Sequence, residues 1–192
     1  VGSPTAVNIR GVGVAPEMDI TAPVTVNGGS YDFGSRTLSS NTDQAFTITN
    51  NGTVGSTLRL TGSPAVKVSG DASFSVFAQP GSTSIAAAGT TTFTIRFTPT
   101  TVGLKTATVM IENDDANENP YTFTVRGTGT GTPVFSVAPN PNPYLFGNVA
   151  VGSSSSATTF TITNTGTADL TITSAVLGDT TNYTLMSSPA SP

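Results

Sequence analysis

Residues 46–50 read Phe-Thr-Ile-Thr-Asn, large apolar side chains alternating with Thr, and the same five residues return at 160–164. A period of two marks a strand with one face in a core and the other in water. Asn51-Gly52-Thr53 follows the first copy and Thr165-Gly166-Thr167 the second, which predicts a tight turn after each strand. The same alternation predicts strands near 20–26, 31–33, 45–50, 57–61, 65–69, 73–78, 91–97, 104–112 and 120–126. Phe46 and Ile48, Leu58 and Leu60, Phe93, Ile95 and Phe97, Ala107, Val109 and Ile111, and Tyr121, Phe123 and Val125 are the expected inward faces. Opposite them Thr47, Thr49, Thr92, Thr94, Thr106, Thr108, Thr122 and Thr124, with Arg59, Arg96 and Arg126, are expected to face solvent. So many short strands in one stretch predict an all-β fold, a two-sheet immunoglobulin-like sandwich with Greek-key connections.

The repetition extends beyond one strand. Arg10, Gly11 and Gly13 align with Arg126, Gly127 and Gly129, and Pro16 aligns with Pro133. Tyr31-Asp32-Phe33-Gly34 aligns with Tyr144-Leu145-Phe146-Gly147, a period of 113 residues (144 minus 31). A period of that size is a domain repeat. Residues 1–13 read as the last strand of a preceding module, 14–131 as a complete immunoglobulin-like module, and 132–192 as the first half of a following one. The segment 127–133 looks flexible by composition. In the second repeat, counterparts of strands 91–97, 104–112 and 120–126 are not found, so Phe160, Ile162, Leu170, Ile172, Tyr183 and Leu185 are expected to want a cover. Continuation of the polypeptide is the favoured source. Donation by a second copy is the alternative, with Ala6, Val7, Asn8, Ile9 and Arg10 as an inter-subunit strand of a head-to-tail filament.

Composition narrows the function. Charged residues make up 9% of the chain and the net charge is −4, without the basic footprint of a nucleic-acid binder. No run approaches the roughly 20 apolar residues of a spanning helix. Roughly a fifth of the residues are Thr, and with no Cys there is neither a disulfide nor a thiolate ligand. With no His either, the familiar nucleophile and base pairs cannot be assembled, so an enzyme is not expected and no cofactor is implied. Glu112 and Glu118 flank a hairpin loop rather than an aromatic cleft, which argues against a glycosidase pair.

Asp114, Asp115, Asn117, Glu118 and Asn119 are the one cluster of hard oxygen ligands, a candidate calcium loop. They lack a Gly-centred Asp-x-Asp-x-Asp pattern and are ordinary turn residues, so residues 113–120 are expected to be a hairpin turn with hydrated carboxylates. The Thr-x-Thr pairs suggest an ice-binding face, but a twisted sandwich scatters such pairs over two sheets. Asp179-Thr180-Thr181 is a candidate site for an O-linked surface glycan.

Phe33-Gly34, Phe-x-Ile-x-Asn-x-Gly from Phe46, Phe-x-Ile-x-Phe-x-Pro from Phe93, Gly103, Ala107, Asn113-Asp114 and Arg126-Gly127-x-Gly129 follow one another in an order that resembles the bacterial choice-of-anchor D module, a relative of the Hydin-like (ASH) domains. The resemblance implies tandem sandwich modules of exported, cell-surface or filamentous bacterial proteins, without catalytic residues. The expected role is a structural segment of an extracellular repeat protein, a stalk, filament or surface fibre, whose partners are neighbouring modules or copies of itself. An adhesin-type module binding carbohydrate or protein, and an accessory domain of a larger secreted enzyme, are the competing readings.

Overall fold

The structure is a computed structural model that describes residues 8–23, 25–140 and 142–189. It divides into two compact units between Gly129 and Thr130. The described residues contain no helix, and none is therefore long and apolar enough to cross a membrane.

The first unit carries β1 (Met18–Ala22), β2 (Ser30–Thr37), β3 (Thr42–Asn50), β4 (Thr57–Arg59), β5 (Val66–Gly70), β6 (Phe74–Ala78), β7 (Ser84–Ala86), β8 (Thr90–Phe97), β9 (Gly103–Ile111) and β10 (Tyr121–Thr130). One sheet has the order β1-β3-β8-β6 and the other β2-β10-β9-β5, while β4 pairs with β7. The ladders of β1 with β3, β3 with β8, β6 with β8, β5 with β9, β9 with β10 and β4 with β7 are antiparallel. β2 and β3 are consecutive yet lie in different sheets, and each is covered by strands from much later in the chain. The result is an immunoglobulin-like sandwich.

All the side chains expected to face inward are buried. Their aromatic rings form the centre of the core. Phe93 of β8 stacks on Phe46 of β3 at 5.3 Å, Phe123 of β10 meets Phe46 at 5.1 Å, and Phe97 stacks on Phe74 at 4.6 Å. Such pairs add stabilisation of about 0.5–1.5 kcal/mol each beyond the area they remove from water. Strand β10 also has to pass over Phe97, and a Cβ on Gly127 would lie 2.6 Å from that ring. Glycine is required there by space.

Several details differ from the pattern of alternation. Thr49, expected at the surface, is buried, and its hydroxyl lies 2.7 Å from that of Thr21, so a hydrogen bond takes the place of water. The short strand β7 has too few residues to show a period and exists through its pairing with β4. Asn51-Gly52 closes no hairpin, since the neighbours of β3 are β1 and β8. Gly127 and Gly129 are not flexible linker but buried positions of β10, paired with Lys105 and Gly103. Ala6 and Val7 lie outside the described residues, while Asn8, Ile9 and Arg10 are exposed and belong to no strand.

The second unit contains β11 (Phe135–Ala138) and β12 (Thr161–Asn164), paired antiparallel. Phe135 faces Asn164 and Val137 faces Ile162, which reproduces Met18 facing Asn50 and Ile20 facing Ile48. Residues 144–151, the counterpart of β2, form no strand. A strand needs a ladder partner, and in the first unit that partner is β10.

Candidate functional site

The motif Asn-x-Gly after β3 forms a clamp on the strand that enters the module. The Asn50 side chain is fully buried. Its Oδ1 accepts from the backbone N–H of Glu17 at 3.2 Å and of Gly52 at 3.0 Å, and its Nδ2 donates to the carbonyl of Ile85 at 3.0 Å. The backbone completes the grip: Asn51 N–H donates to the Glu17 carbonyl at 2.8 Å and Thr53 N–H to the Ala15 carbonyl at 3.1 Å, while Ala15 N–H donates to Thr53 Oγ1 at 3.0 Å. A Cβ on Gly52 would run into the Ala15 carbonyl, so only glycine admits this close approach.

The second unit builds the same clamp. Asn164 Oδ1 accepts from Val134 N–H at 3.2 Å and Gly166 N–H at 2.9 Å. Thr165 N–H donates to the Val134 carbonyl at 2.9 Å, Thr167 N–H to the Thr132 carbonyl at 2.8 Å, and Thr132 N–H to Thr167 Oγ1 at 3.2 Å. A Cβ on Gly166 would strike the Thr132 carbonyl. Sequence reasoning treated Asn-x-Gly as a turn. The aligned Pro16 and Pro133, at the strands that are clamped, were the signal that it also holds something.

The loop 112–120 joins β9 to β10 as a hairpin, but its acids are not merely hydrated. Asp115 is buried and accepts from Met18 N–H at 2.8 Å, Asp114 accepts from Arg59 N–H at 2.7 Å, and Asn119 Oδ1 accepts from Asn113 N–H at 3.2 Å. A buried carboxylate needs such a donor, and the Met18 amide of β1 supplies it to Asp115, while the exposed Asp114 takes the Arg59 amide of β4. Asn117 is exposed, with its N–H 3.3 Å from Asp115 Oδ1. Of the candidate calcium ligands, Asp115 and Glu118 come together, joined by Glu17, which the sequence reading did not include; the three carboxylates lie within 4.8 Å of one another. Calcium takes roughly six to eight oxygens, and Asp114 and Asn119 are turned to other partners.

This crowding has an electrostatic effect. Partial burial, followed by the charges of Glu17, Asp115 and Asp19, pushes the Glu118 carboxyl above its ordinary range. Nearby, Tyr121 is buried and its hydroxyl donates to the Thr25 carbonyl at 2.5 Å; burial first, then Asp19 and Glu118, pushes the phenol up to about 12. Tyr121 therefore stays a neutral donor and ties the start of β10 to the segment after β1.

The outward threonines are divided between the sheets. Thr47 pairs with Thr92 on one sheet and Thr108 with Thr124 on the other, so no single flat array forms. The chain segment at Asp179 is exposed, and its carboxylate is held below the usual range by Asn182, whose side chain donates at 2.9 Å, and by the N–H groups of Asn182 and Thr181.

The second unit also carries half of an aromatic core. Tyr144 meets Phe146 at 5.0 Å and Phe160 at 5.1 Å, as Tyr31 meets Phe33 at 5.1 Å and Phe46 at 5.2 Å. Phe146 meets Tyr183 at 5.8 Å, as Phe33 meets Phe74 at 5.6 Å. The environments differ, however. Phe46 is 0% exposed and Phe160 43%; Phe33 is 3% exposed and Phe146 38%. A cleft of about 460 Å³ opens beside Tyr144 and Phe146.

The HYDIN/CFA65/VesB-like, Ig-like domain model matches residues 22–128. None of the curated proteins matches the chain. Among solved structures, a protein of unknown function from Porphyromonas gingivalis W83 is 18% identical, with TM-score 0.44, over 60% of this chain and 46% of its own. The ASH/PapD-like domain 7 of human CEP192 is 15% identical, with TM-score 0.41, over 68% of this chain and 96% of its own. The Vibrio cholerae VesB protease is 18% identical, with TM-score 0.40, over 59% of this chain and 31% of its own. The chain thus spans less than half the length of the first and third. Identities and scores this low add nothing to the strand order already described. The family model covers more than half of the residues, and by that match the chain belongs to the HYDIN/CFA65/VesB-like Ig-like domain family.

Proposed function

We propose that the chain is a segment of an extracellular tandem-repeat protein, a non-catalytic structural module of a stalk, filament or surface fibre. The observation that carries this reading is the duplicated clamp. In both units an Asn-x-Gly-Thr turn grips the strand that enters it through the same backbone groups. The segment entering the second unit leaves β10 of the first, with only Gly131 between Thr130 and the clamped Thr132. A device repeated at every module entrance suits an array whose partners are its own neighbouring modules. The choice-of-anchor D resemblance agrees with display at a bacterial surface, and the low charge and Thr-rich exterior suit an exported protein.

A second reading, an accessory domain of a larger secreted enzyme, is favoured by the family's inclusion of VesB-like domains. One experiment separates the two. Antibodies against residues 14–131 are applied to intact producing cells, and the labelled polypeptide is then released by protease shaving and its mass and peptides mapped. Surface label on a polypeptide of repeated sandwich modules is the expected result. Label that appears only after lysis refutes the extracellular role, and a catalytic domain among the mapped peptides establishes the accessory reading.

A further inference from the structure

Asn-Gly occurs twice in the chain, at 27–28 and 51–52, and both asparagines line one cleft of about 250 Å³ with Glu17, Asp19 and Glu118. This dipeptide is open to spontaneous loss of ammonia, because glycine has no side chain to keep its nitrogen away from the preceding side-chain carbonyl. The glycine nitrogen bonds to the asparagine Cγ, and its proton leaves with the side-chain Nδ2 as ammonia. Water then opens the cyclic imide at either carbonyl, which leaves aspartate or isoaspartate. The reaction needs a free glycine N–H and a main chain able to rotate, and at 51–52 the fold withholds both. The Gly52 N–H donates to the buried Asn50 Oδ1 at 3.0 Å, while the Asn51 N–H is held by the Glu17 carbonyl at 2.8 Å and the Thr53 N–H by the Ala15 carbonyl at 3.1 Å. The Asn51 side chain, by contrast, is exposed to water, with its Nδ2 donating to Asp19 Oδ2 at 3.3 Å. A different segment guards the other pair: Gly28 N–H donates to the Thr122 carbonyl of β10 at 2.7 Å, and Asn27 Oδ1 accepts from Thr122 N–H at 2.9 Å.

We propose that Asn51 is a deamidation site gated by the clamp: it is unreactive while Asn50 holds Gly52, and is converted to aspartate or isoaspartate when the entering strand lets go. Conversion is one-way. Aspartate at this position sets a carboxylate against Asp19 in a cleft that already carries Glu17 and Glu118. Isoaspartate adds one atom to the main chain between the groups that grip Glu17 and Ala15, so their hydrogen bonds are not all re-formed. The second unit repeats the clamp with Thr165 in place of Asn51 and offers no amide to lose there. The site thus records an opening of the first entrance and not of the second.

The test holds the full chain at mildly alkaline pH, folded and in urea, and follows Asn51 and Asn27 by peptide mapping with mass spectrometry. Labelling with an isoaspartyl methyltransferase identifies the isoaspartate. Conversion of Asn51 is expected to be at least about tenfold slower in the folded chain than in urea, since it waits for a local opening. Asn50→Ala should recover most of that factor at Asn51 while Asn27 stays slow. Equal rates at Asn51 in the folded chain and in urea overturn the proposal, and so does an Asn50→Ala chain that remains folded by circular dichroism and keeps Asn51 slow. If Asn50→Ala speeds both sites, the whole module has opened, and Thr53→Val decides instead, because it removes only the hydroxyl that accepts from Ala15 N–H at 3.0 Å. Faster conversion at Asn51 alone then supports the gate, and an unchanged ratio of the two sites overturns it. The consequence is read from Asn51→Asp, whose urea midpoint at neutral pH should fall below that of the parent chain; an unchanged midpoint overturns the one-way loss of the clamp. None of these outcomes depends on where the protein is displayed.

Discussion

Replacing Asn50 by Ala tests whether the clamp is a structural element of the module or an incidental turn. The side chain is fully buried and joins three segments: Glu17 before β1, Gly52 after β3, and Ile85 in β7, with a longer 3.4 Å contact to Ser56 Oγ. Ala leaves the Ile85 carbonyl without that donor and the N–H groups of Glu17 and Gly52 without their acceptor. Each orphaned buried group costs about 1–3 kcal/mol, and the two amides are only partly buried, so the loss is expected at about 2–4 kcal/mol. Asn164→Ala removes the matching Oδ1 bonds to Val134 and Gly166, and an Nδ2 bond to the Ala168 carbonyl, from an exposed residue, where water replaces them, and is expected to cost under about 1 kcal/mol. Urea unfolding followed by far-ultraviolet circular dichroism on the full chain gives both values. A loss below about 0.5 kcal/mol for Asn50→Ala, within the ordinary scatter of surface substitutions, refutes the reasoning. Equal losses at the two sites refute the part of it that assigns the difference to burial.

Three further outcomes are expected. Phe46→Ala, at the stacked centre of the core, should destabilise by about 3–5 kcal/mol, whereas Phe160→Ala, at 43% exposure, should cost far less in the chain as it stands; chemical denaturation of the two variants measures the contrast. Because the folded state raises the Glu118 carboxyl above its unfolded value, folding is favoured when the group is protonated: the benefit is complete below the unfolded value and is lost as pH rises through the folded one. Glu118→Gln should therefore raise the melting temperature at neutral pH and give no gain well below the carboxylate range, and a uniform shift at all pH values would contradict this. Thermal melts in calcium and in chelator should coincide, since Asp114, Asp115 and Asn119 already serve backbone amides, and a clear chelator-sensitive drop would place an ion among Glu17, Asp115 and Glu118.

Alternation alone was enough to name the core. Phe46, Ile48, Phe93, Ile95, Phe97, Val109, Phe123 and Val125 are all buried, because a strand's side chains change face at every residue whatever it packs against. The fold class and the repeat were legible for the same local reason, and the repeated motif pointed to matching positions in both units. Which edge pairs with which edge was not legible, since ladder partners lie far apart in sequence. That is why β7 appeared only through β4, and why residues 144–151 do not copy β2 despite sharing its Tyr-x-Phe-Gly. Polar positions depended most on tertiary structure. Thr49 reads as a surface residue until Thr21 meets it, Asn50 reads as a turn residue until Glu17 and Ile85 close over it, and Asp115 reads as a hydrated loop acid until Met18 N–H reaches it. An apolar side chain signals its own burial, whereas a polar one is buried only where another segment brings the matching donor or acceptor, and that depends on the assembled fold.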